Sequence, residues 1–172
     1  MVLPAGIVGG LVYPVSTPAQ VVALTGLGVI AGRNLVPAGA AIIGAFALGL
    51  AAGLGAIAWG FGETPASDVL LASATLCGLM AALDITAPVS LAVPVALVCG
   101  IALGLDSPPQ SILLGEAAAM LIGTACGGIG ALATIAFAAS TMARLWHGIL
   151  LRVAGSWIAA TAILVLALRW VA

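Results

Sequence analysis

Lysine is absent from this 172-residue chain, and charged residues of every kind make up only 5% of it. A soluble domain carries roughly 25%, so a water-exposed globule is excluded. Four basic against five acidic residues give a formal net charge of -1, which leaves no basic surface for nucleic acid. Histidine occurs once, as His147, and one imidazole builds neither a metal centre nor a catalytic pair with a distant serine. No P-loop, dinucleotide fingerprint or zinc-protease motif is present, so neither an enzyme nor a cofactor is expected. The three cysteines, Cys77, Cys99 and Cys126, lie within apolar runs and are odd in number, and they read as unpaired thiols. No charged segment precedes the first apolar run, so no intact signal peptide is expected.

What is abundant is apolar sequence: 64% hydrophobic residues and a mean hydropathy of +1.36. The runs exceed the roughly 20 residues a helix needs to cross hydrocarbon, and they lack the period-two alternation of a barrel. The chain therefore reads as an all-α integral membrane protein, one domain over residues 1–172, a compact bundle of about six transmembrane helices in the lipid bilayer.

The first span starts at Ala5 or at Pro18 and is closed by Arg33-Asn34. A second covers Val36 to Trp59, with Gly49-Leu-Ala-Ala-Gly53 as a face that admits a close neighbour. Phe61 to Pro65 turns the chain, Trp59 and Phe61 anchoring it at the interface. Spans three and four run from Ala66 to Leu83 and from Val89 to Leu105, separated by Asp84 to Pro88, and Asp106-Ser107-Pro108-Pro109 makes a rigid turn. The fifth apolar run, Gln110 to Ala139, is long, so it tilts or kinks at Gly127-Gly128-Ile129-Gly130. Ser140 to His147 is a polar connection, and the last span is Gly148 to Trp170.

Six spans put Arg33, Arg144, His147 and, a turn inward, Arg152 on one side, which the positive-inside rule makes cytoplasmic. Glu63, Asp68, Asp106 and both termini fall outside, an N-out, C-out arrangement. Arg169 reaches water from the chain end by snorkelling.

Within the first apolar stretch, Tyr13-Pro14-Val15-Ser16-Thr17-Pro18-Ala19-Gln20 is a proline-punctuated break. A broken or re-entrant backbone survives in lipid only where protein or a wet cavity satisfies its amides. It is therefore expected to face the interior, with Tyr13, Ser16, Thr17 and Gln20 as hydrogen-bonding groups. Two readings coexist: a solute-facing site of the kind broken helices build in transporters, and a plain helix start with Ser16 or Thr17 as cap ahead of Pro18. Glu116, one and a half to two turns inside the fifth span, is costly to expose to lipid. It is expected to face the interior, as a proton or cation contact or as a structural hydrogen bond. Cys77-Gly-Leu-Met80, with Cys99 and Cys126, offers sulfur donors of the type copper(I) prefers. Buried Cys and Met are also ordinary packing residues, and no metal site is assigned.

The broken first segment, the run Cys99-Gly100-Ile101-Ala102-Leu103-Gly104-Leu105-Asp106-Ser107-Pro108 and the run Gly123-Thr124-Ala125-Cys126-Gly127-Gly128 together resemble the HupE/UreJ family of bacterial membrane proteins. An Arg-x-Ala-Gly pattern at Arg152 to Gly155 opens the last helix in the same order, and the likeness covers nearly the whole chain. The resemblance implies a nickel or cobalt permease fold in a bacterial inner membrane. The family's first motif, His-Pro-x-x-Gly-x-Asp-His, aligns with Tyr13 to Gln20, and both histidines and the aspartate are replaced. Its second, His-Gly-x-x-His-Gly-x-Glu, aligns with Cys99 to Asp106, where the glycines and an acid remain and the histidines do not. A further family histidine aligns near Gly128.

Nickel needs imidazole and carboxylate donors that this set does not supply. The expectation is an inherited bundle with a dismantled metal site: a transporter or channel for a small neutral solute or weakly held cation. Tyr13, Ser16, Thr17, Gln20, Cys99, Asp106 and Glu116 are the residues expected along its path. The alternative is a non-transporting subunit that packs on partners or on copies of itself through faces such as Gly6 to Gly10, Gly100 to Gly104 and Gly123 to Gly127.

Overall fold

The computed structural model describes residues 6–34, 38–60, 66–85, 87–107, 114–145 and 148–171. All regular structure among them is helical: α1 (Ile7–Ser16), α2 (Pro18–Arg33), α3 (Ala38–Ala58), α4 (Ser67–Ala82), α5 (Val89–Leu105), α6 (Leu114–Leu145) and α7 (Ile149–Val171). The expected turn at Phe61 to Pro65 with Glu63, and Thr86, Pro108, Pro109, Trp146 and His147, lie outside the described residues.

Three helices, α3, α6 and α7, are long and apolar enough to cross a membrane, and α1 with α2 makes a fourth candidate if the bent pair counts as one. The remaining two, α4 and α5, are apolar but only 16 and 17 residues long, about 24–26 Å at 1.5 Å per residue. Chain direction is fixed by the contacts. Gly10 and Gly32 meet Met120 and Ala136, so α1 and α2 both run with α6. Gly26 lies against Ala74 and Cys77, while Arg33 reaches Ala81 and Asp84, so α4 runs with α2. Gly49 and Gly53 track Leu97 and Ile101, making α3 parallel to α5. Against these, α7 is antiparallel to α4, with Asp68 beside Arg169 and Gly78 beside Gly155. The result is an alternating bundle with two chemically different ends.

Its core is shared by six helices: Leu24, Leu27, Ile42, Phe46, Leu50, Leu70, Leu71, Leu103 and Leu132 are fully buried, and Ile158 and Ala162 of α7 complete it. Glycine sets how close the helices come. A Cβ at Gly100 would run into the carbonyl oxygen of Phe46, and one at Gly10 into that of Met120. In lipid, where burial adds little driving force, such backbone-on-backbone packing is the main source of helix association.

One expectation about the fifth run is corrected and one is refined. α6 runs unbroken through Gly127 to Gly130 as one helix of 32 residues. Gly123 and Gly127 seat α1, and Gly128 faces Leu50, so these glycines serve packing instead. The expected connection at Ser140 is helical up to Leu145, because the hydroxyls of Ser140 and Thr141 donate back to the Phe137 carbonyl and are satisfied inside the helix.

Candidate functional site

The break falls where the sequence puts it, but both sides of it are helical. α1 and α2 meet at Thr17 with a bend of 76°. Thr17 is the N-cap of α2 and Pro18 its first residue, yet no side chain caps the helix. The hydroxyls of Ser16 and Thr17 turn back instead and donate to the Tyr13 carbonyl, at 2.9 and 3.4 Å. They thereby take up an acceptor freed by the end of α1.

One turn into α2, Gln20 is fully buried. Its amide Nε2 donates to the Asp106 carboxylate at 3.0 Å, with longer contacts to the Asp106 carbonyl at 3.4 Å and the Ser107 hydroxyl at 3.3 Å. Tyr13 adds a contact from its hydroxyl to the same Asp106 carbonyl at 3.3 Å. Ser107 in turn donates to Leu103 at 2.7 Å, closing the last turn of α5. The broken segment is thus tied to the end of a helix some ninety positions later, through partners 86 and 93 residues apart.

The orientation of the Gln20 amide follows from this surround. Turned over, it would set Oε1 against the carboxylate and carbonyl oxygens of Asp106, acceptor against acceptor; Ser107 gives its proton to Leu103. The NH2 therefore faces Asp106, and Oε1 is left buried with no hydrogen-bond partner. An unsatisfied buried acceptor costs about 1–3 kcal/mol.

Of the seven residues singled out, Tyr13, Gln20 and Asp106 converge directly. Ser16 is exposed, and Thr17 sits at the hinge. Cys99 is buried in the apolar core two turns below Asp106, outside this polar cluster. Glu116 does not face the interior: it is exposed in the first turn of α6, where the helix dipole favours a carboxylate. Sequence reasoning passed over Ser107 as a site residue. Its signal was its place directly after Asp106, where a hydroxyl can both cap α5 and accept from Gln20.

The sulfur donors do not assemble. Cys77 and Cys99 are buried whereas Cys126 is exposed on α6, and all three are free thiols. Among the described residues no group of three or more His, Cys, Asp or Glu is placed to hold a metal ion. A groove of about 580 Å³ between α4 and α7, lined by residues such as Leu76, Leu79, Ile163 and Trp170, is almost wholly apolar and suits lipid tails.

At the opposite end, Arg33 donates to the Ala81 carbonyl at 3.1 Å and pairs with Asp84, and Arg152 donates to the Ala82 carbonyl at 3.3 Å. Back at the Gln20 end, Arg169, expected to snorkel, pairs with Asp68 at 3.1 Å and donates to Ser67. Compared with protein families, with curated proteins and with solved structures, the chain matches none.

Proposed function

We propose that this chain is a HupE/UreJ-like membrane protein that passes a small neutral solute or a weakly held cation through a site from which the family's metal ligands have gone. The observation that carries this reading is the meeting of Tyr13 and Gln20 with Asp106. These are the positions that align with the outer histidines of the first motif and with the acid of the second. Their convergence is what a shared ancestral site requires. An amide, a phenol and one carboxylate bind ions weakly next to imidazole, but they offer both donors and acceptors to a polar solute.

In this reading the chain crosses the bilayer six times, α1 with α2 forming the first crossing. The end that gathers Arg33, Arg144 and Arg152 is cytoplasmic, and the Gln20–Asp106 end opens outward. Calorimetry on purified protein is expected to find no tight nickel or cobalt binding, and proteoliposomes are expected to swell selectively in one small polar solute. Failure of every tested solute and metal to cross would sink the proposal.

A second reading, a non-transporting subunit of a membrane complex, draws support from one surface. The glycine faces expected to serve partners are used up within the chain, Gly10 on α6, Gly53 and Gly104 between α3 and α5. Still outward among the described helical glycines are Gly44 and Gly55 on one face of α3, and Gly115 and Gly130 on α6, where an added Cβ would meet nothing. A stoichiometric larger complex recovered in mild detergent would favour this alternative, and a lone monomer would count against it.

A further inference from the structure

We propose that Oε1 of Gln20 is the point at which the passing species donates a hydrogen bond, so that the protein selects molecules carrying an N–H or O–H donor and rejects aprotic molecules and anions. This rests on the passage reading above and adds to it the chemical class of the solute. Gln20 is fully buried, and its NH2 is committed to Asp106 and Ser107. Its remaining polar atom is the one buried side-chain acceptor without a partner among the described residues.

The hydroxyls elsewhere in the helices do not share this condition. Thr25, Ser73, Thr75, Thr124, Thr134 and Thr161 all donate to a carbonyl one turn back. Gln20 cannot do so without giving up Asp106. With these six hydroxyls satisfied this way, Gln20 Oε1 is the buried side-chain polar atom left open among the described residues, beside a hinge of 76° and a carboxylate. An open acceptor next to negative charge attracts a donor and repels an anion. A neutral amide and an alkylammonium ion share the N–H chemistry, and the test separates them.

Glutamine occurs only at positions 20 and 110, so side-chain 13C-labelled glutamine gives two carbonyl resonances, assigned with Gln110→Ala. Titration of the full-length protein in micelles with acetamide is expected to move the Gln20 signal saturably, while acetone, of similar size and without N–H, and acetate leave it in place. A response to methylammonium in place of acetamide assigns the cation. Asp106→Asn supplies a neighbouring NH2 that can donate to Oε1. It is expected to shift the resonance before any probe is added and to weaken the acetamide response about tenfold or more, the equivalent of one hydrogen bond.

Equal movement with acetone, or a resonance that ignores every probe because one ordered water holds Oε1, overturns the inference. Should Asp106→Asn not fold, the wild-type titration with acetamide and acetone decides alone. Solute flux without a Gln20 response refutes the donor site and leaves passage standing, whereas a Gln20 response without flux supports the donor site and refutes passage.

Discussion

At one end of the bundle α4 stops at Ala82 and at the other α5 stops at Leu105, and the two stops are closed by different chemistry. The α4 end is charged. Asp84 adopts a left-handed backbone at φ 59, the amide of Ile85 reaches back to Met80 and that of Asp84 to Ala81, which makes a Schellman cap with aspartate where glycine is usual. Arg33 then adds a second donor to the Ala81 carbonyl, and Arg152 covers the Ala82 carbonyl. The α5 end is closed by neutral groups, Tyr13, Gln20 and Ser107, with Asp106 as their shared acceptor. Guanidinium groups satisfy several acceptors each and need nothing in return. An amide brings an acceptor of its own, and that is the atom left over. The charged end closes on guanidinium groups; the end at α5 leaves one buried acceptor without a partner among the described residues.

If that contrast is right, the charged end fails harder when cut. The Arg33 side chain is only 12% exposed and serves both Ala81 and Asp84. Arg33→Ala is expected to lower stability by about 2–3 kcal/mol, measured as the midpoint of unfolding in detergent, with Asp84 contributing the smaller part because its side chain is 52% exposed. Arg33→Lys keeps the charge without the fork and should recover less than half of the loss. A loss below that of the neutral-end variants would reverse the comparison.

Gln20→Leu is the matching cut at the neutral end. It removes the bonds to Asp106 and Ser107 but also removes the unsatisfied oxygen, so the two effects oppose each other. The expected cost is about 1 kcal/mol, against complete loss of solute flux in proteoliposomes. Stability nearly kept with transport abolished would mark Gln20 as serving passage before structure. Retained flux would mark it as an ordinary helix tie.

Most helices could be read from the chain because apolar runs and proline or charge punctuation coincide: α3, α4, α5 and α7 lie within a few residues of the spans drawn between Val36 and Trp59, Ala66 and Leu83, Val89 and Leu105, and Gly148 and Trp170. Thr17-Pro18 was equally plain as a break. Left open by the sequence, which offered Ala5 or Pro18 as the start of the first span, was whether residues before the break form a helix, since Gly9, Gly10 and Pro14 weaken local propensity and the seat on α6 holds them. The convergence of Tyr13 and Gln20 on Asp106 had no local signal. It depended on matching two motifs and on the bend that aims one segment at the other. Glu116 misled for a related reason: depth was counted from the start of an apolar run, while the residue lies exposed in the first turn of α6 as described from Leu114.

The smallest expected effect tests whether the charged cap depends on its charge or on its shape. In Asp84→Gly the left-handed backbone is relieved of the roughly 1–2 kcal/mol that a Cβ costs there, a cost that aspartate already reduces by bonding locally. The same change deletes the Arg33–Asp84 pair, worth about 0–1 kcal/mol at this exposure. Glycine also adds freedom to the unfolded chain, which offsets part of the relief. The three contributions nearly cancel, and the unfolding midpoint should move by no more than a degree or two. Arg33 would keep its bond to the Ala81 carbonyl, so its own truncation in the Asp84→Gly background should cost nearly as much as in the wild type. If instead Arg33→Ala costs little once residue 84 is glycine, the ion pair and not the carbonyl contact is what closes α4, and the contrast between the ends reduces to one of net charge.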